Sequence, residues 1–330
     1  MTEAKYYEPG DNLLICKLCP HECRIGEGQT GFCRVRRNEA GKLVSSNYGL
    51  VTALALDPIE KKPLYHFYPG KKILSVGTSG CNLACRFCQN WSISQTVASA
   101  KPITAQELLA IAVQTREEED NLGLAYTYSE PLVWFEFLLD IMPLVKTAGL
   151  KNVLVTNAHL QVAPWQTLLE WVDAANIDLK GFDHGFYRRL CRGQLDPVLK
   201  NIELAAEQIH LELTTLIIPG ENDHPQQLEA LAKWVAAVNP AIPLHLSRYF
   251  PNYQLAKPPT PEQTMLEAYE ICKQHLQYVY LGNLEVTNNT CCPECGTVLI
   301  ERNRFRVQSF ISADRLCPGC NRKITFLWQD

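Results

Sequence analysis

The chain has 330 residues, a hydrophobic content of 46% and a formal net charge of −4. This length is typical of about two domains with a sizeable core. The sequence contains no apolar run long enough to span a membrane, and it does not begin with the basic and then apolar segments of a secretory signal. We therefore expect a cytoplasmic protein. The modest net charge and the lack of a dense basic stripe argue against nucleic acid as the main partner.

Cysteine is frequent, with 14 residues in the chain. Disulfides are rare in reducing compartments, so clustered cysteines there indicate metal ligands. Eleven of the cysteines fall into three groups, near the N-terminus, before residue 90 and near the C-terminus. Cys191 and Cys272 stand apart from the groups and are predicted to pack as small buried residues.

The first group, in "CKLCPHECRIGEGQTGFC", contains the pair Cys16 and Cys19, followed by Cys23 and Cys33. Four thiolates make a closed site, so residues 1–69 are predicted to form an N-terminal extension that binds structural zinc or a fully ligated iron–sulfur cluster. The spacing of these four cysteines does not distinguish zinc from an iron–sulfur cluster. Zinc would only shape the segment, whereas an auxiliary cluster would relay electrons or anchor a substrate.

The stretch "DPIEKKPLYHFYPG" crowds Glu60, Lys61, Lys62 and His66 into a short segment before the second cysteine group. We expect this segment to border the site formed by that group or an adjoining substrate pocket. A single histidine is more often structural than catalytic, so His66 is predicted to be a structural residue.

Residues 70–286 alternate short β-branched runs with amphipathic helical stretches. The runs are "KILSVGTSG", "LGLAYTYSE", "KNVLVTNA", "ANIDLKG", "LELTTLIIPG" and "PLHLSRYF". Strands separated by helices predict βαβ units, a parallel sheet and an α/β fold, here a partial (β/α)6 barrel of the TIM type, to which "YVYLGN" adds a last strand. Thr104, Asp223 and Thr260 stand where helix N-caps are expected.

Polar residues follow the predicted strands at one end. They are Cys81, Glu130, Asn157, Asp178 with Lys180, and Arg248. In (β/α) barrels the carboxyl ends of the strands carry the active site, so these residues are predicted to meet there. For Arg248 and the adjacent Tyr249, a salt bridge at the rim and a packed aromatic ring are the favoured interpretation.

The second cysteine group, "CNLACRFCQN", offers three thiols, Cys81, Cys85 and Cys88. The C-x₃-C-x₂-C spacing does not fit paired zinc knuckles, and no fourth ligand is nearby in the sequence. Three thiolates can hold three corners of a 4Fe–4S cube and leave one iron open, and an open position is what catalytic metal sites keep.

The third group lies in residues 287–330, where "CPECG" and "CPGC" supply Cys292, Cys295, Cys317 and Cys320. Two such knuckles predict a zinc ribbon, and a rubredoxin-like single iron uses similar knuckles. Cys291 is a possible replacement for Cys292 as a ligand. We expect the metal site to stabilise the fold of this segment, because some forty residues have little core of their own.

The C-x₃-C-x-aromatic-C motif, with Phe87 at the aromatic position, resembles the signature of the radical S-adenosylmethionine (SAM) enzymes. The resemblance implies a 4Fe–4S cluster whose open iron binds the amino and carboxylate groups of SAM. It also implies reductive cleavage of SAM to a 5′-deoxyadenosyl radical, which abstracts hydrogen from a substrate.

Further stretches, in the order "YTYSEP", "VTNA", "NIDLKG", "LIIPGENDH" and "SRYFP", are similar to relatives of pyruvate formate-lyase activating enzyme. The resemblance covers nearly the whole chain and includes the radical SAM proteins of the AmmeMemoRadiSam group, which are associated with Memo-like and AMMECR-like proteins. It implies that Phe87 packs near the adenine of SAM, and it assigns cofactor binding to Ser129, Glu130, Asn157, Asp178 and Lys180. Two glycines and an aspartate of the activating enzymes are replaced by Tyr128, Ser129 and Val155.

Three functions are consistent with these features. The first is a radical SAM enzyme that acts on a small molecule or on a side chain of a partner protein, with a low-potential donor such as flavodoxin or ferredoxin. The second is an activase that makes a glycyl radical on another enzyme. The third is a metal-rich module that transfers electrons or binds a partner without catalysis.

Overall fold

The computed structural model describes residues 2–96, 98–303, 306–312 and 314–324. The first strands are β1 (Thr2–Glu3), β2 (Tyr7–Gly10), β3 (Leu13–Cys16), β4 (Arg24–Gly26), β5 (Arg36–Glu39) and β6 (Lys42–Ser45). Within residues 2–45 they form two antiparallel sheets, in the orders β1-β6-β5 and β2-β3-β4. Ala40 and Gly41 join β5 to β6 with φ angles of 51° and 75°, as the tight two-residue hairpin turn requires.

The strands that follow are β7 (Leu50–Val51), β8 (Ala53–Pro58), β9 (Lys72–Gly77), β10 (Lys101–Pro102), β11 (Asn121–Tyr126), β12 (Lys151–Thr156), β13 (Ala174–Asp178), β14 (His210–Ile217), β15 (Leu244–Arg248) and β16 (Val279–Gly282). Within the described ranges, the largest sheet has eight strands in the order β16-β15-β14-β13-β12-β11-β9-β8. β9 and the strands from β11 to β16 run parallel, and β8 pairs antiparallel with β9 at one edge. β7 pairs with β10 outside this sheet.

The helices are α1 (Trp91–Ser94), α2 (Ala105–Glu119), α3 (Phe135–Thr147), α4 (Val162–Leu169), α5 (His184–Phe186), α6 (Leu195–Gln208), α7 (Pro225–Val238) and α8 (Glu262–Lys273). Short 3₁₀ turns at Ile59–Lys61 and Pro131–Trp134 and a π turn at Tyr187–Cys191 complete the helical elements of the described chain. A helix crosses from each parallel strand to the next, which confirms the predicted α/β partial barrel, including the last strand, β16. None of the described helices has the length and apolarity needed to cross a membrane.

The inner face of the barrel is closed at the amino-terminal end of the strands. Ala125, Val153 and Ala174 are neighbours across β11, β12 and β13 and pack against Ile59 and Leu64 in one cluster of buried side chains. Side chains alternate along a strand, so the inner face that carries Ala174 continues toward the carboxyl end of β13. The segment after β8 therefore fills the amino-terminal end of the barrel and leaves the carboxyl end for a site.

Both cysteine-rich segments pack against the barrel. Leu14, Ile25 and Leu43 belong to the same buried cluster as the barrel and its helices, and β8, within residues 1–69, pairs in the barrel sheet. The boundaries at residues 69/70 and 286/287 stay predictions.

The C-terminal strands β17 (Thr290–Cys291), β18 (Val298–Asn303) and β19 (Arg306–Ser309) form a small antiparallel sheet in that order, packed against Tyr278 and Tyr280. Residues 304–305, 313 and 325–330 of the predicted C-terminal segment lie outside the described residues.

One of the three predicted helix N-caps is confirmed. The Thr104 side chain accepts the Glu107 amide, and the Glu107 carboxylate accepts the Thr104 amide, which is a full capping box. The prediction is wrong for Asp223, which accepts the Gly220 amide within its loop, and α7 begins after His224.

Thr260 is likewise not an N-cap, because its hydroxyl donates to the Ile217 carbonyl oxygen at 2.6 Å and α8 begins after Pro261. In both cases a tertiary or loop contact uses the polar side chain before the helix starts.

We expect Thr104→Ala to weaken the start of α2 by about 1 kcal/mol, because the Glu107 amide loses its acceptor. Hydrogen exchange of the first-turn amides of α2 should then be roughly fivefold faster. Thr147→Ala, at an exposed threonine that ends α3, is the matched control and should leave these amides unchanged. Equal exchange in wild type and Thr104→Ala would contradict the capping role.

Candidate active site

A cavity of about 220 Å³ opens at the carboxyl ends of the parallel strands. It brings together the three central cysteines and every residue predicted to bind the cofactor, namely Cys81, Cys85, Cys88, Phe87, Ser129, Glu130, Asn157, Asp178 and Lys180. The prediction that polar residues meet at this end is therefore confirmed, with one exception. Arg248 does not line the cavity and instead forms an ion pair with Glu262 at 3.0 Å. Tyr249 is fully buried and donates to the Leu255 carbonyl oxygen, as the structural interpretation predicted.

The cysteine loop between β9 and α1 is held from outside by backbone hydrogen bonds. The Ala84 amide donates to the Cys191 carbonyl oxygen and the Arg86 amide to that of Leu190, both at 2.9 Å. These acceptors lie in the π turn, more than a hundred residues further along the chain. The loop therefore has a conformation set by tertiary contacts, which positions its thiols before any metal binds.

The donor set of this loop fits an iron–sulfur cluster. It offers three thiols, and the Leu83 amide donates to the Cys81 sulfur at 3.3 Å, the type of contact that tunes cluster ligands. Cys191 hydrogen bonds to Cys85 and lowers the pKa of the Cys85 thiol. Cys191 itself does not line the cavity, so three cysteines face it.

Glu130 is almost completely buried at the cavity wall. Its carboxylate accepts hydrogen bonds from the Thr156 hydroxyl at 2.5 Å, the Asn157 amide at 2.8 Å and the Leu132 amide at 3.1 Å. Burial raises the pKa of Glu130 to about 7, although these hydrogen bonds lower it in part. The carboxyl group is thus fixed in position and close to half ionised at neutral pH.

Asn157 connects the β12 loop to the cysteine loop. Its side-chain amide donates to the Asn82 side-chain oxygen at 2.9 Å and approaches the Cys81 sulfur at 3.7 Å. Asn82 in turn donates to the His159 carbonyl oxygen at 2.5 Å. Asn157 therefore positions the first cysteine of the loop as well as lining the cavity.

Asp178 and Lys180 place an ion pair at the cavity wall, with the Lys180 nitrogen 2.8 Å from the Asp178 carboxylate. Burial lowers the pKa of Lys180, but the electrostatic interactions with Asp178 and with the neighbouring Cys85 and Cys191 outweigh it, so the pKa lies well above its ordinary value. Lys180 thus keeps a positive charge where an anionic group of a ligand can meet it.

The segment before β9 reaches the cavity only indirectly. The Asp57 carboxylate accepts the hydroxyl of Tyr128, which lines the cavity, and pairs with the buried Lys62 ammonium at 2.9 Å. Burial raises the pKa of Asp57, but the hydrogen bonds from Lys62, Lys61 and Tyr128 lower it to about 2. Lys62 is therefore held as an ion pair behind the cavity wall.

His66 lies away from the cavity, in a buried network below it. Its ring nitrogen is 2.6 Å from the Tyr280 hydroxyl, and its backbone amide donates to the Glu212 carboxylate at 2.7 Å. Burial holds the pKa of His66 well below its ordinary value. The prediction that His66 is structural agrees with these contacts.

Tyr128, Thr214 and Ser247 also line the cavity, and the sequence did not single them out as site residues. Ser247 lies near the carboxyl end of β15, so the rule that led to Glu130 and Asp178 could also have found it. Thr214, in contrast, lies within β14 beside Asp178. The contact of Cys191 with Cys85 had no signal in the sequence, because it depends on the π turn.

The C-terminal cysteines form a compact group. The sulfurs of Cys292, Cys295, Cys317 and Cys320 all lie within 4.8 Å of one another, and the Cys292–Cys320 and Cys295–Cys317 sulfurs are 3.6 Å apart. Thiolates around one tetrahedral ion are about 3.8 Å apart at a bond length near 2.3 Å, so the group fits a single zinc or iron. Cys291 is not a member, which makes the interpretation of it as a replacement ligand wrong.

The N-terminal cysteines Cys16, Cys19, Cys23 and Cys33 line a small cavity of their own. Cys23 is partly exposed, and the other three thiols are buried. The four thiols predicted to share a metal site are therefore neighbours in the fold.

Comparisons with known proteins agree with this geometry. Residues 75–235 match the Radical SAM superfamily. The uncharacterized protein MJ0808 of Methanocaldococcus jannaschii is 40% identical over 337 residues, covering 98% of this chain and 99% of that protein. The pyruvate formate-lyase-activating enzyme of Clostridium pasteurianum is 27% identical over 179 residues, covering 52% of this chain and 72% of that enzyme.

Among solved structures, Streptococcus suis SuiB bound to precursor peptide SuiA superposes with a TM-score of 0.52 at 14% identity, covering 69% of this chain and 52% of SuiB. This likeness concerns the fold alone. The chain contains a radical SAM domain in residues 75–235 and shares a family with MJ0808. Its radical SAM domain is homologous to the pyruvate formate-lyase activating enzymes.

We expect Glu130 to titrate near pH 7 rather than near its ordinary value of 4.5, because burial disfavours the carboxylate. Infrared difference spectra of wild type minus Glu130→Gln, recorded between pH 5 and 8, should show the carboxylic acid band lose half its intensity close to neutrality. A band that is already absent at pH 6 would contradict the burial-driven shift.

Proposed function

We propose that this protein is a radical SAM enzyme in which Cys81, Cys85 and Cys88 bind a 4Fe–4S cluster. It would cleave SAM reductively and abstract hydrogen from a small molecule or from a side chain of a partner protein. The observation that carries the proposal is the convergence of three thiols, a buried carboxyl group and a buried ammonium on one cavity.

The bound cluster would supply the electron that breaks the sulfonium–carbon bond of SAM and releases a 5′-deoxyadenosyl radical. The residues of the chain would bind and orient the cofactor. Ionised Glu130 would accept a hydrogen bond from the SAM ammonium, and Lys180 would face the SAM carboxylate or ribose. Phe87, buried in the cavity wall with its ring centroid 6.0 Å from that of Phe186, would pack near the adenine.

The replaced glycines do not prevent this arrangement. Tyr128 adopts a φ angle of 68°, a conformation that glycine reaches without strain. Tyr128 therefore has a backbone conformation that a glycine at this position could also adopt. The Ser129 carbonyl oxygen would accept a hydrogen bond from the SAM ammonium. Asn157 would contribute a further polar contact from the neighbouring loop after β12.

The remaining parts of the proposal concern partners and the third metal site. The homology to activating enzymes supports flavodoxin or ferredoxin as electron donor. The sequence resemblance supports membership of the AmmeMemoRadiSam group, with Memo-like and AMMECR-like proteins as partners and a cytoplasmic location. Zinc in the C-terminal four-cysteine group is supported by its 3.6 Å sulfur pairs, and a rubredoxin-like iron is the alternative.

The direct test is SAM cleavage by anaerobically reconstituted protein under a low-potential reductant. Wild type should form 5′-deoxyadenosine, and Cys85→Ala should form less than about 1% as much, because loss of one of three thiolate ligands removes the cluster. Liquid chromatography with mass spectrometry measures the product.

Cys272→Ala is the matched control, since Cys272 is equally buried but lies in α8, outside the cavity. It should retain full cleavage. If wild type binds iron and sulfide but never cleaves SAM, the proposal is wrong and a non-catalytic module remains.

A second candidate is activation of a glycyl radical enzyme, which the homology to pyruvate formate-lyase-activating enzyme favours. This function predicts a doublet electron paramagnetic resonance (EPR) signal from a glycyl radical when a glycyl radical enzyme, SAM and reductant are added. Substitution of the acceptor glycine by alanine should abolish the signal. A wild type that cleaves SAM yet produces no glycyl radical on such partners would favour the small-molecule or side-chain substrate.

A further inference from the structure

The spacing of the thiols distinguishes the two four-cysteine sites. Among all described residues, the C-terminal four are the group whose ligand atoms lie within 4.8 Å of one another. The N-terminal four are fully described too, but no three of their sulfurs meet this spacing. Since thiolates on one zinc ion are about 3.8 Å apart, the N-terminal set is too wide for a single ion. Its thiols nevertheless line one shared cavity.

Four thiolates whose sulfurs are spaced more widely than those around one ion fit a metal–sulfide cluster, which places one metal at each thiolate. The rest of the lining suits such a cluster. Leu18, Ile25 and Val133 are buried apolar residues at the cavity. The Phe32 amide donates to the Cys23 sulfur at 3.3 Å.

Arg36 is a second, independent observation at this cavity. Its guanidinium is 1% exposed and pairs with Glu136 at 2.5 Å. Although Arg36 also lines the thiol cavity, its Nε–H has no acceptor in the described structure. A buried unpaired donor is costly, and the thiolates or sulfides of an anionic cluster would provide the missing acceptor.

The N-terminal cavity also adjoins the catalytic loop. Asn82, the residue after Cys81, lines the N-terminal cavity, and its backbone carbonyl oxygen is 2.8 Å from a ring nitrogen of His21. Gly80 lies so close to Cys33 that an added Cβ would come within 2.7 Å of the Cys33 carbonyl oxygen. The two cysteine groups are therefore separated by a single layer of residues.

We propose that Cys16, Cys19, Cys23 and Cys33 bind a second, fully ligated iron–sulfur cluster that relays electrons to the cluster of the catalytic loop. A reduced ferredoxin or flavodoxin would transfer one electron to the second cluster at its partly exposed Cys23 side. The same electron would then pass by way of Asn82 to the Cys81 side, returning the second cluster to its oxidised state. The destination of the electron rests on the proposed function, whereas the presence of the second cluster does not.

The first test is metal and sulfide analysis, with Mössbauer spectroscopy, of the Cys81→Ala/Cys85→Ala/Cys88→Ala variant reconstituted without oxygen. The variant should retain about four sulfides per chain and wild type about eight. The iron content should match the sulfide content, with one further iron in each protein if the C-terminal site holds iron rather than zinc. A variant that contains zinc but no iron–sulfide would overturn the second cluster. Circular dichroism equal to that of wild type and of Cys272→Ala shows that the variant is folded.

The second test asks whether the two clusters are neighbours. EPR of fully reduced wild type should show spin–spin broadening that is absent from the triple variant and from the Cys16→Ala/Cys19→Ala variant. A wild-type spectrum equal to the sum of the two single-cluster spectra would overturn the relay.

The outcomes separate this inference from the proposed function. Iron and sulfide retained in the triple variant, with no SAM cleavage by wild type, would support the second cluster and reject the radical SAM activity. SAM cleavage by wild type, with no sulfide in the triple variant, would reject the second cluster alone.

Discussion

The parallel order of the central strands is the constraint on which the site depends. Because β9, β11, β12 and β13 run in the same direction, their carboxyl ends meet at one edge of the sheet. Residues as far apart in the chain as Cys81 and Lys180 therefore line the same cavity. The segment that fills the opposite end of the barrel leaves this edge as the place for chemistry.

The cysteine loop itself is held on two sides. On one side, the carbonyl oxygens of Leu190 and Cys191 accept backbone hydrogen bonds from the loop. On the other side, Gly80 lies against Cys33 with no room for a side chain. The N-terminal segment thus contacts the catalytic loop directly. Loss of metal from the N-terminal cysteines would shift Cys81 through these packing contacts.

Buried charge gives the cavity its chemical character. Glu130 is held by three donors yet remains partly protonated near neutral pH, because burial outweighs those hydrogen bonds. Lys180 stays charged because a carboxylate and two sulfur groups surround it. A zwitterionic amino acid presents an ammonium and a carboxylate, and the cavity offers a partner of opposite charge to each.

Much of this architecture could be predicted from the sequence. The β-branched runs predicted the parallel strands because buried strands favour such residues, and the cysteine spacing predicted three separate groups. Helix α3 was not among the predicted helical stretches, and most of its residues are buried or partly buried. The N-cap predictions for Asp223 and Thr260 were wrong because loop and tertiary contacts use these side chains. The distances between sulfurs, which separate the two four-cysteine sites, depend on the folded backbone and are absent from the spacing.

The most direct measurement of the central claim is the EPR spectrum of the reduced protein before and after SAM is added. An open cluster corner at Cys81, Cys85 and Cys88 predicts that SAM shifts the g values of one reduced cluster signal, and that the shift is lost when these three cysteines are replaced. A spectrum that SAM leaves unchanged would show that the cluster has no corner open to the cofactor, and the proposed radical chemistry would be contradicted.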